Sequence, residues 1–273
     1  MKSPLQLMLT ITIAFSLQTP KLINKKPKEY FTMKILFVRH GDPDYVNDYL
    51  TEKGFHEAEL LSVRLSKLNV RAFYCSPLGR AKATAKVTLD KINREAITFE
   101  WLKEFPGYIY DEVTCNQRIP WDLMPNYWTK HPLLYDKIEW MNDPLMQTGD
   151  VKAIYSNITS NFDQLLADYG YHRNGNYYNC ENGNTDTIVI FCHLGVQFAI
   201  LSHLLGISAS VFWQGFFVAP TSVTTIATQE RIKGEVSFRV QALGDTSHLY
   251  VGNEPISLSG FFQEKYEEKH PHT

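Results

Sequence analysis

The 273-residue sequence is poor in cysteine, has almost no net charge and contains one long apolar run, close to its N-terminus. The four cysteines (Cys75, Cys115, Cys180 and Cys192) form no Cys-x-x-Cys pair. That spacing excludes the common zinc modules, and the low cysteine density excludes a disulfide scaffold. Buried or partly exposed free thiols in a reducing compartment are expected instead. The formal net charge of -2 gives no basis for binding nucleic acid or an anionic membrane. Any anionic ligand must therefore be recognised by a local positive site. No internal repeat or low-complexity tract is present, which excludes solenoids and arrays. The apolar fraction of 44% is ordinary for a globular chain and suffices for a core.

The apolar run, Leu5 to Leu17, follows Lys2 and precedes a basic stretch from Lys21 to Lys28. Its length suits a secretory h-region, but Gln18-Thr19-Pro20 offers no small-x-small cleavage site. Two readings of residues 1–32 stand side by side: a dispensable extension ahead of Met33, and a signal or anchor. The first predicts a cytoplasmic protein and the second leaves secretion open. No other segment is long enough to span a membrane, so no stable membrane insertion is expected.

From Lys34 the pattern is regular. Lys34 to Arg39 reads as a buried strand ending in the turn residues Gly41-Asp42-Pro43-Asp44. Thr51 to Leu68 has apolar residues at helical spacing, with Thr51 as N-cap. Val70 to Cys75 is a second strand, Leu78 to Ile92 a second helix and Ile97 to Phe99 a short third strand. Between Phe105 and Gln147, Pro, Trp, Tyr and Asn accumulate and periodicity fades, predicting an inserted helical and loop lid. Asp150 to Tyr169 is helical again, and Tyr171 to Asn184 reads as a polar loop. Thr187 to Cys192 is a further buried strand, leading through His193-Leu194-Gly195 into an apolar helix. Ser222 to Thr228 and Val236 to Leu243, split by Lys233-Gly234, predict an antiparallel hairpin. Alternating strands and helices predict a three-layer α/β/α fold. Its sheet is mostly parallel with helices on both faces, closed by the C-terminal antiparallel hairpin. The expected organisation is the N-terminal segment 1–32, a domain over 33–250 with its lid at about 105–184, and a tail over 251–273.

Two strands end in a histidine followed closely by glycine: Arg39-His40-Gly41 and His193-Leu194-Gly195. In an open α/β sheet the ligand site lies beyond the carboxyl ends of the strands, so these distant histidines can meet. Arg39 sits beside the first, and Arg80 follows another strand in Ser76-Pro77-Leu78-Gly79-Arg80. Two guanidinium forks and two imidazoles make a phosphate pocket, and helix-start N–H groups after Gly195 can add donors. A neutral imidazole is a competent nucleophile near pH 7. Glu104, just past the third strand, is the candidate proton donor, with Asp42 and Glu112 as rivals.

In this context Arg39-His40-Gly41 resembles the motif of the histidine phosphatase superfamily, in its phosphoglycerate mutase-like branch. Leu50-Thr51-Glu52-Lys53-Gly54 resembles the family's Leu-Thr-x-x-Gly, and Ser76-Pro77-Leu78-Gly79-Arg80-Ala81 its Ser-Pro-x-x-Arg-Ala. Leu102-Lys103-Glu104 is similar to the acid motif, His193 to the second histidine, and Gly244 to Leu249 to the tail segment. The ordered set covers about residues 33 to 250. The resemblance implies that His40 is phosphorylated, that Arg39, Arg80 and His193 hold the phosphate, and that Glu104 gives and then takes a proton. It implies no metal and no organic cofactor. Asn47 lies one position late for the family's usual asparagine, and Leu194 stands where glycine is common.

The implied activity is phosphate-monoester hydrolysis on a phosphorylated small molecule or a phosphoprotein. A mutase-type transfer and a non-catalytic phosphate-binding module are the alternatives. Trp121, Tyr127, Trp128 and Arg118 either line the pocket or form the lid's own core. His56, His131, His172, His203, His270 and His272 have no ligand spacing, and His248 is assigned a structural hydrogen bond. Cys192 reads as a buried strand-end thiol, and Asn157-Ile158-Thr159 as a chance glycosylation match. The sequence does not specify an oligomeric state.

Overall fold

The structure, a computed structural model, describes residues 32–111 and 116–261. The extension expected over 1–32 (apart from residue 32), Glu112, Cys115, His270 and His272 lie outside the described residues. The main sheet contains β1 (Lys34–Arg39), β2 (Ala72–Cys75), β3 (Ile97–Thr98), β4 (His172–Asn174), β5 (Tyr177–Asn179), β6 (Thr187–Cys192), β7 (Val223–Ile232) and β8 (Glu235–Asp245). They lie in the order β3-β2-β6-β1-β7-β8-β5-β4. The helices of five or more residues are α1 (Glu52–Leu65), α2 (Gly79–Ile92), α3 (Val151–Asp168), α4 (Leu194–Leu205), α5 (Ala209–Gly215) and α6 (Ser247–Val251).

Side-chain alternation along β1 explains the three layers. Ile35 and Phe37 join Ile158, Phe162 and Leu165 of α3 and Phe198 and Leu201 of α4 in one core. Leu36 and Val38 point the other way, into a second core with Leu61 and Leu65 of α1 and Ala81, Ala85 and Leu89 of α2. A strand buried on both faces must be apolar almost throughout, and β1 and β6 are. Thr51 starts α1 as expected, its Oγ1 accepting from Gly54 N at 3.0 Å.

The expected α/β/α architecture and C-terminal hairpin are present, and the antiparallel share of the sheet is larger than the sequence suggested. β3, β2, β6 and β1 pair in parallel. The remaining strands are antiparallel. The excess comes from the segment read as a polar loop: β4 and β5 form a hairpin whose Tyr178 pairs with Val236. Its three-residue strands bury Tyr178 but expose Tyr177 and Asn179, so no apolar alternation announced them.

Of the insertion expected over about 105–184, the described residues of 105–149 carry only short elements (an antiparallel pair Ile109–Asp111 and Asn116–Arg118, a one-turn helix Pro125–Trp128 and three 3-10 turns), while 151–184 supply α3 and the β4–β5 hairpin. The first part is anchored by fully buried Trp140, whose ring sits edge-on to Tyr155 and Trp213 at 5.1 and 5.3 Å. Leu134 and Met146 join the same core as α3 and α4. Among the described residues no helix is long and apolar enough to cross a membrane.

Candidate active site

The parallel register brings the site together. Arg39 pairs with Cys192, and Phe191 with Cys75. The residues that immediately follow these three strands, His40, His193 and Ser76, therefore emerge at one level of one sheet edge. His40 and His193 are buried, with ring centroids 5.1 Å apart. Thr84 Oγ1 accepts from Gly41 N at 2.9 Å and donates to Arg80 O at 2.8 Å, which ties the turn after β1 to the start of α2.

The His40 ring is oriented by its own turn. Gly41 O accepts a hydrogen bond from Nδ1 at 2.7 Å, so the lone pair of the neutral ring lies on Nε2. Burial and the positive charge of Arg39 hold the His40 pKa well below the usual imidazole value. His193 is held low for the same first reason, then by His40 and the two arginines. Both environments thus favour the neutral ring.

Both arginines are held by protein acceptors. Arg39 donates from Nη1 to Val218 O (2.7 Å) and from Nη2 to Ser259 O (2.9 Å), and its guanidinium lies 5.5 Å from the Phe217 ring centroid. Arg80 donates from Nη1 to Asp48 Oδ1 at 2.6 Å. The other Asp48 oxygen accepts from Gly79 N at 2.6 Å and so caps α2. Arg39 Nε, Arg80 Nε and His193 Nδ1 are buried without hydrogen-bond partners. Buried donors are nearly always paired, and two unpaired guanidinium N–H groups beside two imidazoles suit an anion.

Glu104 follows a short 3-10 turn after β3. Its Oε1 accepts from Phe105 N (2.8 Å) and from Val196 N (3.2 Å) in the first turn of α4. Burial raises its pKa above the usual carboxylate value, against the pull of these N–H groups, Arg39 and Arg80. A Cβ on Gly195 would stand 2.7 Å from both Glu104 Oε1 and the Trp121 ring, so glycine is required for this approach.

The rival acids are placed elsewhere or not described. Asp42 accepts from Thr51 Oγ1 at 2.7 Å and from Ser257 Oγ. Asn47 is exposed and donates to Asp44 Oδ2. Cys192 is fully buried, with its thiol pushed well up by burial. Of the four insertion residues, Trp121 reaches the site by way of Gly195. Tyr127 instead donates to Asp143 and stacks on His131, Trp128 packs near Tyr135, and Arg118 lies 4.0 Å from Asp122. His248 makes a buried hydrogen bond with Thr221 Oγ1, 3.1 Å from Nε2.

Sequence reasoning did not single out Asp48 or Thr221. Thr221 N donates to His40 O at 3.1 Å from a left-handed backbone, φ +55°, unusual for a β-branched residue. No local pattern announces either partner, because both act across the fold. Ser76 was visible only as the first residue of the Ser-Pro-x-x-Arg-Ala stretch. In the structure its Oγ lies 2.8 Å from His193 Nε2.

Residues 35–125 match the family model for the histidine phosphatase superfamily (branch 1). The 2,3-bisphosphoglycerate-dependent phosphoglycerate mutase of Thermoplasma acidophilum is 35% identical over 83 residues, 26% of this chain and 42% of that enzyme. Phosphoserine phosphatase 1 of Hydrogenobacter thermophilus is 25% identical over 214 residues, 73% of this chain and 88% of that protein. A mutant phosphoserine phosphatase from Entamoeba histolytica, solved in complex with phosphoserine, superposes with a TM-score of 0.54 at 20% identity, covering 80% of this chain and 99% of that one. Phosphoglycerate mutase from Bacillus anthracis superposes at 0.53 and 20% identity, over 82% and 97%. At these identities the solved structures establish the fold alone. Over residues 35–125 the chain is thus similar to the histidine phosphatase superfamily (branch 1), and over about four fifths of its length it shares the fold of these solved structures.

Proposed function

We propose that this protein is a phosphatase that hydrolyses a phosphate monoester through a phosphohistidine formed on His40 Nε2. The observation that carries the reading is the 5.1 Å approach of His40 and His193 beside two buried, unpartnered guanidinium N–H donors. In the first step Nε2 forms a bond to phosphorus as the bond to the leaving oxygen breaks. Glu104, with its raised pKa, gives that oxygen its proton. In the second step Glu104 takes a proton from water, the water oxygen bonds to phosphorus, and the P–N bond breaks. Phosphate leaves and His40 is restored neutral. Arg39, Arg80 and His193 hold the phosphoryl oxygens throughout and stabilise their charge.

Nothing in this scheme requires a metal, and we take the activity to be metal-independent. Residues 33–250 form the catalytic domain in this reading, and Trp121 in the insertion places part of the substrate wall. The substrate is a phosphorylated small molecule, a class to which the phosphoserine held by the Entamoeba histolytica neighbour belongs. The buried free thiols of Cys75, Cys180 and Cys192 fit a reducing, cytoplasmic setting.

A screen of phosphate esters for phosphate release, with a chelator arm and a His40→Ala control, tests the proposal. Turnover that survives the chelator and disappears in the variant supports it; an inert wild-type protein across the panel refutes it. A mutase reading is favoured by the 35% identity of one segment to a phosphoglycerate mutase. Positional isomers of phosphoglycerate, in place of free phosphate, would select it.

A further inference from the structure

The tautomer of His40 is set by a carbonyl, and that of His193 by a hydroxyl. Ser76 is fully buried at the end of β2, its backbone N donating to Phe191 O at 2.9 Å. Its Oγ accepts from Leu78 N at 3.2 Å and lies 2.8 Å from His193 Nε2. If Nε2 carried the ring proton, Oγ would accept twice. The Ser76 hydroxyl proton would then be buried with no acceptor recorded for it among the described residues. His193 Nδ1, buried and unpartnered, would then turn a lone pair towards an anion. Both costs vanish if the hydroxyl donates to Nε2 and the ring proton stays on Nδ1.

We propose that Ser76 is a positioning residue that keeps His193 protonated on Nδ1, where the ring is a hydrogen-bond donor to the bound phosphoryl group. The two imidazoles are then opposite tautomers: His40 offers a lone pair and His193 a proton. This inference rests on the proposed phosphate site. The asymmetry explains how two neutral histidines side by side perform different tasks. It also explains why the fully buried residue after β2 carries a hydroxyl.

Nitrogen-15 NMR of the imidazoles in the free wild-type enzyme reads the tautomer directly, with the His193 signal assigned by its loss in His193→Asn. Protonation on Nδ1 is expected, and protonation on Nε2 overturns the inference. In Ser76→Ala the His193 proton should redistribute towards Nε2. The dissociation constant for inorganic phosphate should rise about tenfold to a hundredfold, with a matching fall in kcat/KM for an aryl phosphate. Ser76→Thr, which keeps the hydroxyl, should restore both. Unchanged tautomer and phosphate affinity in Ser76→Ala would overturn the assignment even if the enzyme is an active phosphatase. A wild-type protein protonated on Nδ1 that turns over no phosphate ester would instead count against the phosphatase reading alone.

Discussion

Two polar clusters, one buried and one partly buried, occupy the two halves of the sheet, and they are built in opposite ways. In the antiparallel half Asp163 joins α3 to the β4–β5 hairpin and to α4. It accepts from Tyr178 at 2.6 Å, from Arg173 Nε at 3.1 Å, and bonds His203 Nε2 at 2.8 Å. Arg173 spends its remaining donors on Gly175 O, Tyr178 and His203 O. Each nitrogen of that guanidinium has an acceptor. At the carboxyl edge of the parallel half, by contrast, Arg39 Nε, Arg80 Nε and His193 Nδ1 are buried without partners. A structural cluster closes on itself, whereas a binding site leaves donors over for something it does not contain.

Substitutions at the two clusters should separate activity from stability. His40→Ala should lower aryl phosphate turnover by at least about a thousandfold with little change in melting temperature, checked by phosphate release and calorimetry. Asp163→Asn should do the reverse, lowering stability by about 1.5–3 kcal/mol in denaturant titration while kcat/KM stays within a few-fold. Equal losses of activity in both variants would erase the distinction.

Gly195→Ala is the next largest expected effect. Its Cβ collides with Glu104 and Trp121, so kcat should fall about tenfold or more through displacement of the acid. The damage should appear mainly on the limb of the pH profile that reports the acid. A normal profile would detach Glu104 from the chemistry.

A smaller effect concerns pH and stability. Glu57, fully buried behind the Gly41–Asp42 turn, accepts from Asp42 N at 2.9 Å. Burial pushes its pKa up to about 7. The folded state binds this proton more tightly than the unfolded state. The contribution is therefore complete below the unfolded value and is lost as pH rises through 7, an effect of about 3 kcal/mol. Asp163 has the opposite sign: burial raises its pKa, but its bonds to His203 and Tyr178 outweigh this and hold it low. Its contribution is present above the unfolded value and is lost in acid. Denaturant titrations across pH should show Glu57→Gln flattening the neutral-to-alkaline limb and Asp163→Asn the acid limb. A parallel pH dependence in wild type and Glu57→Gln would contradict this assignment.

The same contrast governs how much of the molecule was legible in its sequence. β1 and β6 could be read because a strand buried on both faces is apolar throughout, and each ends in a histidine beside glycine. Their parallel pairing then fixes where those histidines emerge, so the convergence of His40 and His193 followed from the pattern. The β4–β5 hairpin could not be read. Its strands are short and polar, and they are held by Asp163 and Tyr178 rather than by periodicity. Asp48, Ser76 and Thr221 act on Arg80, His193 and His40 from distant parts of the chain, where side-chain chemistry alone names no partner.

The central claim is that His40 Nε2 carries the phosphoryl group. Rapid quenching of the enzyme with a phosphate ester labelled on phosphorus, followed by peptide mapping, tests it most directly. The account predicts an acid-labile, base-stable label on His40 that is absent from His40→Ala. Turnover with no label on His40, or a label on another residue, would contradict it.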